Sequence, residues 1–282
     1  MAMSINTNPG AEFAAVAAKR AAEMMDIAML RLSSGKRLNS AKDDAAGIQV
    51  AIRMEAEING LTASLRNAND AQAVIDTAEG ALSEAHTLLL RMREVAVNAA
   101  SDTNSDADRV SLNTEVSALE EEIARIGDQT TWGGINLLNG SYSKASPIRF
   151  QLGPRNGNFI DVTIGVLTTG AVQAQGALSL TSNVSTRANA TAYISTIDRA
   201  ISIISSRRGA LGAVSNRLDS TISNLENMKA NIITAKGGVE DADYAQETAR
   251  LAKASILMQA ATAMLAQANA SKQQTLALIQ NL

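Results

Sequence analysis

Cysteine is absent from the 282 residues, which removes disulfides, thiolate nucleophiles and cysteine-based metal sites. Aromatic residues are almost as scarce, at 2% against a hydrophobic fraction of 46%. Large rings usually anchor globular cores and binding hot spots. A chain that relies on Ala, Leu, Ile, Val and Met instead suits long helices packed closely through small and aliphatic side chains. Only three prolines occur, and none lies between Gly10 and Ser146, so that stretch lacks the ring that breaks or kinks a helix. Histidine is single, and His86 therefore has no second histidine with which to hold a metal. An excess of one charge is lacking too: the net charge is −3. With no basic run and no aromatics interleaved with Lys or Arg, nucleic acid is not an expected partner. No stretch reaches the roughly 20 uninterrupted apolar residues of a membrane-spanning helix, so membrane insertion is not expected. Met1 to Gly10 has neither the basic start nor the apolar core of a cleaved signal peptide. Export would need another route.

What the chain does have is helical periodicity. Ala14, Ala17, Ala21, Met24, Ala28 and Leu32 recur at steps of three and four, which predicts a helix over 11–32. Ser33-Ser34-Gly35 ends it, with Gly35 as a left-handed C-terminal cap. Ser40 is a candidate cap for the next helix, with Asp43 and Asp44 near its positive end. That second helix is the longest. Ile58, Leu61, Leu65, Ala68, Ala71, Ile75, Ala78, Leu82, Ala85, Leu89, Met92, Ala96 and Ala99 trace a three-four seam, with one slip near Ala71. From Asp44 to Ala99 this is a rod of roughly 80 Å at about 1.5 Å per residue. Ser101 to Ser105 turns the chain, and Leu112, Val116, Leu119, Ile123 and Ile126 mark one face of a third helix.

The character changes after Gln129. Gly133-Gly134, Asn139-Gly140 and Pro147 punctuate the chain. Ile148, Phe150 and Leu152 alternate, Gly153 to Asn158 supplies turn residues, and Ile160, Val162 and Ile164 alternate again; this predicts a β-hairpin. Residues 166–190, rich in Thr, Ser, Gly, Gln and Ala, read as loop with some extended structure. The helical pattern then returns. Ile197, Ile204, Leu211, Leu218, Leu225 and Ile232 fall at every seventh residue without exception, the most specific periodic signal in the chain. Ile194, Ile201 and Ile222 form a companion seam that Arg208, Ser215 and Lys229 interrupt. Gly237-Gly238 is expected to break the helix and Asp241 to start the last one. That helix carries Leu251, Met258, Leu265 and Ile279, with Ala254, Ala261, Ala268 and Leu282 offset by three; Lys272 weakens the outer end of the first row. The fold class is therefore mainly α, with helices at both ends and a small β-hairpin in the middle. The Ala-rich end stripes bury little apolar area per residue, so the ends need each other or neighbouring copies.

Three stretches carry a resemblance to a known family. Leu30 to Gly47, reading LRLSSGKRLNSAKDDAAG, resembles the N-terminal signature of bacterial flagellins. LTASLRNAND from Leu61 and Glu79-Gly80-Ala81-Leu82 continue it. Leu211 to Leu218, Val239 to Ala245 and Leu265 to Asn269 resemble the C-terminal signature. The resemblance covers about residues 1–165 and 190–282. It implies a long coaxial helical bundle formed by paired terminal segments. Residues 1–43 and 237–282 would form an inner terminal-helix domain. Residues 44–190, with two helices, the hairpin and a short loop region, and the heptad helix 191–236 would form a surrounding shell. The large outer domains of many flagellins look to be missing, as in a minimal flagellin.

The function implied is that of a structural subunit, secreted through the flagellum-specific type III pathway and polymerised into the extracellular filament of motility. The partners implied are further copies of itself, an export chaperone, and the cap and hook–filament junction proteins, with no cofactor. A hook–filament junction protein shares the paired-end plan and is the alternative, but Ser40 to Gly47 and Leu265 to Asn269 favour flagellin. An enzyme built on the central insertion is not expected, because the insertion is short and gathers no catalytic set.

Individual residues support the same reading. Ile197, Ile204, Leu211, Leu218, Leu225 and Ile232 are the expected shell-bundle core. Ala14, Ala21, Leu32, Leu251, Met258 and Leu265 are the expected polymerisation residues of the terminal helices. Gly35-Lys36 lacks the spacing of a phosphate loop. Asp43-Asp44 and Glu120-Glu121-Glu122 read as capping or solvated carboxylates, and Arg207-Arg208 as partners in ion pairs across helices or subunits. Trp132, beside Gly133-Gly134, reads as a hydrophobic plug at the end of the third helix. By resemblance, Arg91, Val95 and Glu115 match the contacts of flagellins that an innate immune receptor recognises, with Val95 where leucine is usual. The same segment could instead serve packing alone.

Overall fold

Asn8 opens the first helix: its Oδ1 accepts a hydrogen bond from the Ala11 amide at 3.3 Å, and Pro9 brings a backbone angle already set for a first turn. The helix, α1, runs Pro9–Ser34 and closes on Gly35 at φ 70°, a left-handed conformation that glycine adopts without steric penalty. The computed structural model describes residues 7–140, 147–167, 178, 180 and 183–280. Within them lie α1, α2 (Ala45–Ala99), α3 (Asp106–Gln129), α4 (Arg187–Glu240) and α5 (Tyr244–Gln280). Four short strands stand between α3 and α4: β1 (Thr131–Trp132), β2 (Ile135–Asn136), β3 (Ile148–Gln151) and β4 (Phe159–Val162). The fold is mainly α, with two small antiparallel strand pairs. The chain divides into two compact units, residues 1–56 with 231–282, and residues 57–230.

Helix starts follow side-chain acceptors, and two differ from expectation. Asp44, not Ser40, caps α2: its Oδ1 accepts from the Ala46 and Gly47 amides at 3.1 and 3.0 Å. Ser40 instead donates through its amide and hydroxyl to Asp43 Oδ2, so Asp43 closes the turn before the helix. Those backbone donors hold the Asp43 carboxyl below its usual range. Ser105 and Asp108 form a reciprocal capping box at α3. Asp243, not Asp241, caps α5 by accepting from Ala245 and Gln246.

Gly237-Gly238 does not break α4. Neither glycine has a positive φ, and an interior glycine costs only about 1 kcal/mol relative to alanine. The helix ends at Glu240 because residues after α1 supply its carbonyls with donors. The Arg37 amide donates to Glu240 O at 2.7 Å and its guanidinium to Val239 O at 2.7 Å. Lys36 pairs with the Glu240 side chain and bridges to Asp241.

The core of residues 57–230 is a heptad seam. Along α2 the buried seam runs Leu61, Ser64, Ala68, Ala71, Ile75, Ala78, Leu82, Ala85, Leu89, Met92, Ala96 and Ala99, an unbroken alternation of three and four, with Val74 and Val95 buried beside it. The expected slip vanishes because Ser64 replaces the half-buried Leu65 in the seam; its hydroxyl is satisfied by donating to Gly60 O at 2.9 Å. On α4, Ile197, Ile204, Leu211, Leu218 and Leu225 are buried as expected. Ile232 is half-buried and belongs to the other unit. The companion seam differs: Tyr193 and Ala200 are buried, while Ile194, Ile201 and Ile222 flank the core. Tyr193 fits there because its hydroxyl donates to Glu120 on α3.

The β3–β4 hairpin pairs Ile148 with Val162 and Gln151 with Phe159. Ile148, Ile160 and Val162 face the core, and Arg149 pairs outward with Asp161 at 3.0 Å. Asn67 ties the hairpin to α2 by donating to Gln151 O at 3.0 Å. The β1–β2 pair turns on Gly133 and Gly134, both at positive φ. Trp132 on β1 is 38% exposed and does not plug the end of α3. Leu137 and Leu138 are buried there, and the two-residue ladder leaves the indole outside. Of the stretch read as loop, part lies outside the described residues. Leu167, Leu178, Leu180 and Val184 are buried in the core, and α4 has begun by Arg187.

Replacing Leu218 by Asp would bury an unpaired carboxylate, and the expected loss is about 4 kcal/mol or more. Ile232→Asp, at a half-buried site, should cost far less. Urea unfolding followed by circular dichroism measures both. Equal midpoints for the two variants would show that the seam is not the core.

Candidate assembly interface

Residues of the smallest apolar type line the contact between α1 and α5. Ala14, Ala21 and Ala28 are buried on α1, and Ala254 and Ala261 on α5, each seven positions from the next. Backbones of the two helices come within 8 Å Cα to Cα at many points, and among the described residues no other helix pair does so beyond isolated points. Alanine permits that approach. In residues 57–230 the Leu, Ile, Met and Tyr side chains hold the helices further apart.

Polar residues pin the two ends. Asn8 Nδ2 donates to Ala268 O at 3.2 Å, and Arg31 Nη1 donates to Glu247 Oε1 at 3.2 Å, so the helices run antiparallel. Arg250 also reaches Glu247, at 2.7 Å. Glu247 is buried, with its second oxygen unbonded among the described residues. It lies seven residues before Ala254 and extends the alanine row. The sequence reading missed Asn8, Arg31 and Glu247, although the seven-residue spacing to Glu247 was available as a signal.

Of the polymerisation residues read from the sequence, the structure places Ala14 and Ala21 at the contact. Leu32, Leu251, Met258 and Leu265 are half-buried beside it. The two rows on α5 therefore exchange roles: the alanines take the axis because the approach is too close for leucine or methionine. Outside this contact the pair is unusually apolar. Phe13 is 76% exposed and Met264 67%, and Val16, Met24, Ile27, Met29, Leu30, Ile256 and Leu257 are exposed as well. One groove of the pair is lined by Phe13, Val16, Met24 and Leu257. A second has Met24, Ile27, Ala28 and Ala254 as its apolar wall and Arg31, Arg250 and Lys253 at its rim. Contiguous apolar surface of this kind marks an interaction site.

The remaining candidates sit in ion pairs and in the core. Arg91 donates to Glu94 at 2.8 Å and to Glu115 at 2.7 and 2.9 Å, and Glu115 is the main cause that holds its guanidinium above the ordinary value. Val95 is only 3% exposed and belongs to the core; a leucine there would overpack the seam. Arg208 pairs with Glu79 at 2.8 Å across α4 and α2, and Arg207 donates to Val166 O at 2.7 Å. His86 is half-buried. Among the described residues, no group of three or more His, Cys, Asp or Glu is placed to hold a metal. Burial pushes the Glu120 carboxyl above its usual range, and the bond from Tyr193 partly opposes that. Tyr193 itself is pushed up, first by burial and then by the carboxylate.

Comparison with known proteins places these features in context. Residues 5–143 match the bacterial flagellin N-terminal helical region, and residues 194–279 match the bacterial flagellin C-terminal helical region. A flagellin of Halalkalibacterium halodurans is 39% identical over 252 residues, 89% of this chain and 90% of that protein. Flagellin E of Vibrio cholerae is 31% identical in an alignment that covers all of both chains. That alignment runs over 381 positions against the 282 residues here. The crystal structure of Bacillus cereus flagellin is similar at a TM-score of 0.50 and 30% identity, covering 57% of this chain and 88% of that one.

Two measurements check the interface and its neighbourhood. Ala21→Leu and Ala254→Leu should each force the helices apart at about 1–3 kcal/mol. Amide exchange should then show lost protection in 9–34 and 244–280 but not in 57–230, whereas Ala15→Leu, at an exposed position, should leave protection unchanged. Separately, a carboxyl raised on folding stabilises most below its unfolded value, and that contribution is lost as pH rises through the folded value. Glu120→Gln keeps an acceptor for Tyr193 and removes the titration. Its urea midpoint relative to wild type should rise as pH increases above the ordinary glutamate value of about 4.3; a constant difference would mean that Glu120 does not feel its burial.

Proposed function

Since the chain belongs to the bacterial flagellins, whose members are structural subunits of the extracellular flagellar filament, we propose that its α1–α5 pair is the surface through which copies polymerise. The carrying observation is the row of large exposed apolar side chains on both helices. Each subunit pairs its own ends along the alanines and leaves Phe13, Met24, Ile256 and Met264 uncovered. Neighbouring copies cover those rows, which supplies the apolar burial that the alanine contact lacks. Residues 1–43 and 237–282 act in this reading as the inner, polymerising part. Residues 44–236 act as the shell that holds the ends in register. The short middle, set against longer relatives, supports a subunit without large outer domains. The work done is mechanical, and we assign no catalytic role and no cofactor.

Export through the flagellum-specific type III route, a cytosolic chaperone on the last helix, and cap and hook–filament junction partners belong to the same proposal. They fit a subunit whose assembly surface must stay covered until it reaches the filament tip. For an innate immune receptor, Arg91 and Glu115 remain available at the surface, whereas Val95 does not, so recognition would rest on the charged pair.

Deleting residues 260–282 should abolish polymerisation while leaving the shell folded, and deleting residues 2–28 should do the same. The two truncated chains should not complement each other, because each lacks half of the pair. Sedimentation and electron microscopy read polymer, and circular dichroism reads the shell. Filaments formed by either truncated chain would place the assembly surface elsewhere.

A further inference from the structure

Methionine is concentrated on the helix pair. Of eight methionines among the described residues, five lie on α1 and α5: Met24, Met25, Met29, Met258 and Met264. Met24, Met29 and Met264 are exposed. Met24 stands where the two grooves of the pair meet and lines both. By contrast, Met92 is fully buried in the core of residues 57–230. An unbranched thioether adapts to irregular contact surfaces. It is also the sole oxidisable sulfur in a chain without cysteine. A small oxidant can therefore reach three thioethers on the surface assigned to assembly and cannot reach the one in the core.

We propose that Met24, Met29 and Met264 form an oxidation site that controls assembly, a proposal that rests on neighbouring copies covering these rows. In the free subunit a peroxide attacks the exposed sulfurs. The thioether lone pair takes the terminal oxygen, the O–O bond breaks, an S–O bond forms and water leaves; sulfur loses two electrons and the peroxide gains them. The product sulfoxide is polar and chiral. Its oxygen needs a hydrogen-bond donor that rows of Phe, Ile, Leu and Val side chains do not provide. An oxidised subunit is thus excluded from the polymer, while subunits already assembled keep the same sulfurs covered. The site sorts intact subunits from damaged ones at the point of addition, and reduction of the sulfoxide restores them.

The full-length protein, treated with dilute hydrogen peroxide either as dispersed subunits or as polymer, provides the test. Peptide mass spectrometry maps the added oxygens, and pelleting measures polymer. Met24, Met29 and Met264 should oxidise in dispersed subunits well before Met92, and far more slowly in polymer. Oxidised subunits should fail to pellet, and methionine sulfoxide reductases with a thiol reductant should restore pelleting. The combined Met24→Leu, Met29→Leu and Met264→Leu variant should polymerise after peroxide treatment. If that variant does not assemble even untreated, restoration of the oxidised wild type by the reductases decides. Normal pelleting of subunits oxidised at all three positions would overturn the proposal. So would equal oxidation rates in polymer and dispersed subunits, or equal loss of assembly in the leucine variant. Failure of untreated wild type to polymerise would overturn the assembly reading as well, which separates the two.

Discussion

The close approach of α1 and α5 along a row of alanines is the contact on which the rest depends. Two helices can come this near only if nothing larger than a methyl group stands between them, and a methyl group contributes little when buried. Ordering a residue opposes folding by about 1–2 kcal/mol, and these helices hold 26 and 37 residues. Closeness is therefore achieved at the expense of stability. The polar clamps at Asn8 and Arg31 set direction and register, but they do not replace apolar burial. The larger side chains stand outside the contact, exposed. Residues 57–230 show the opposite arrangement: Leu, Ile, Met and Tyr fill a seam that needs no further partner. A single seven-residue spacing thus serves two ends, a self-sufficient core in one unit and an incomplete one in the other, and the difference lies in the size of the residue at the seam.

Much of this was legible in the sequence where one property decides the outcome. Isoleucine or leucine at every seventh position from Ile197 to Leu225 admits one reading, and those five residues are buried. The alternation around Ile148 and Ile160 marks a hairpin for the same reason. Errors arose where two properties compete. Leu65 outranks Ser64 in hydrophobicity, yet Ser64 holds the seam, because a helical hydroxyl can satisfy itself on the carbonyl four residues back. Two adjacent glycines look like a break, but Lys36 and Arg37 supply what the end of α4 needs, with Arg37 reaching Val239 from 202 positions away. Trp132 looks like an anchor until Leu137 and Leu138 take the place behind it. On α5 the larger residues of Leu251, Met258 and Leu265 looked like the primary row, and only the distance between backbones reveals that the alanines hold the axis. The end of α4 and the row on α5 are set by partners distant in sequence, whereas Ser64 and Trp132 are decided by residues only about four to six positions away.

The membership in a filament-forming family is consistent with where the two terminal regions fall. The matched stretches, residues 5–143 and 194–279, include α1 and most of α5 together with the helices of the core. The alignment with Flagellin E of Vibrio cholerae runs over 381 positions against the 282 residues here. Described parts of the stretch between the two matched regions are tied to the core: the Val184 amide donates to Asn113 Oδ1, and Val166 O accepts from Arg207.

The antiparallel joining of α1 to α5 also imposes a schedule. Arg31 and Glu247 are 216 positions apart, and Asn8 and Ala268 are 260 apart, so this contact closes nearly the longest loop the chain can make. Local helices form within microseconds and distant contacts follow. Folding of the intervening core shortens the loop that remains to be closed, and closure entropy grows only slowly with its length. The joint is therefore made last, whichever end of the chain becomes available first. A chain with only one of the two helices holds one side of a two-part joint. Closure therefore waits on both ends of the polypeptide, an order written into connectivity and needing no separate timer.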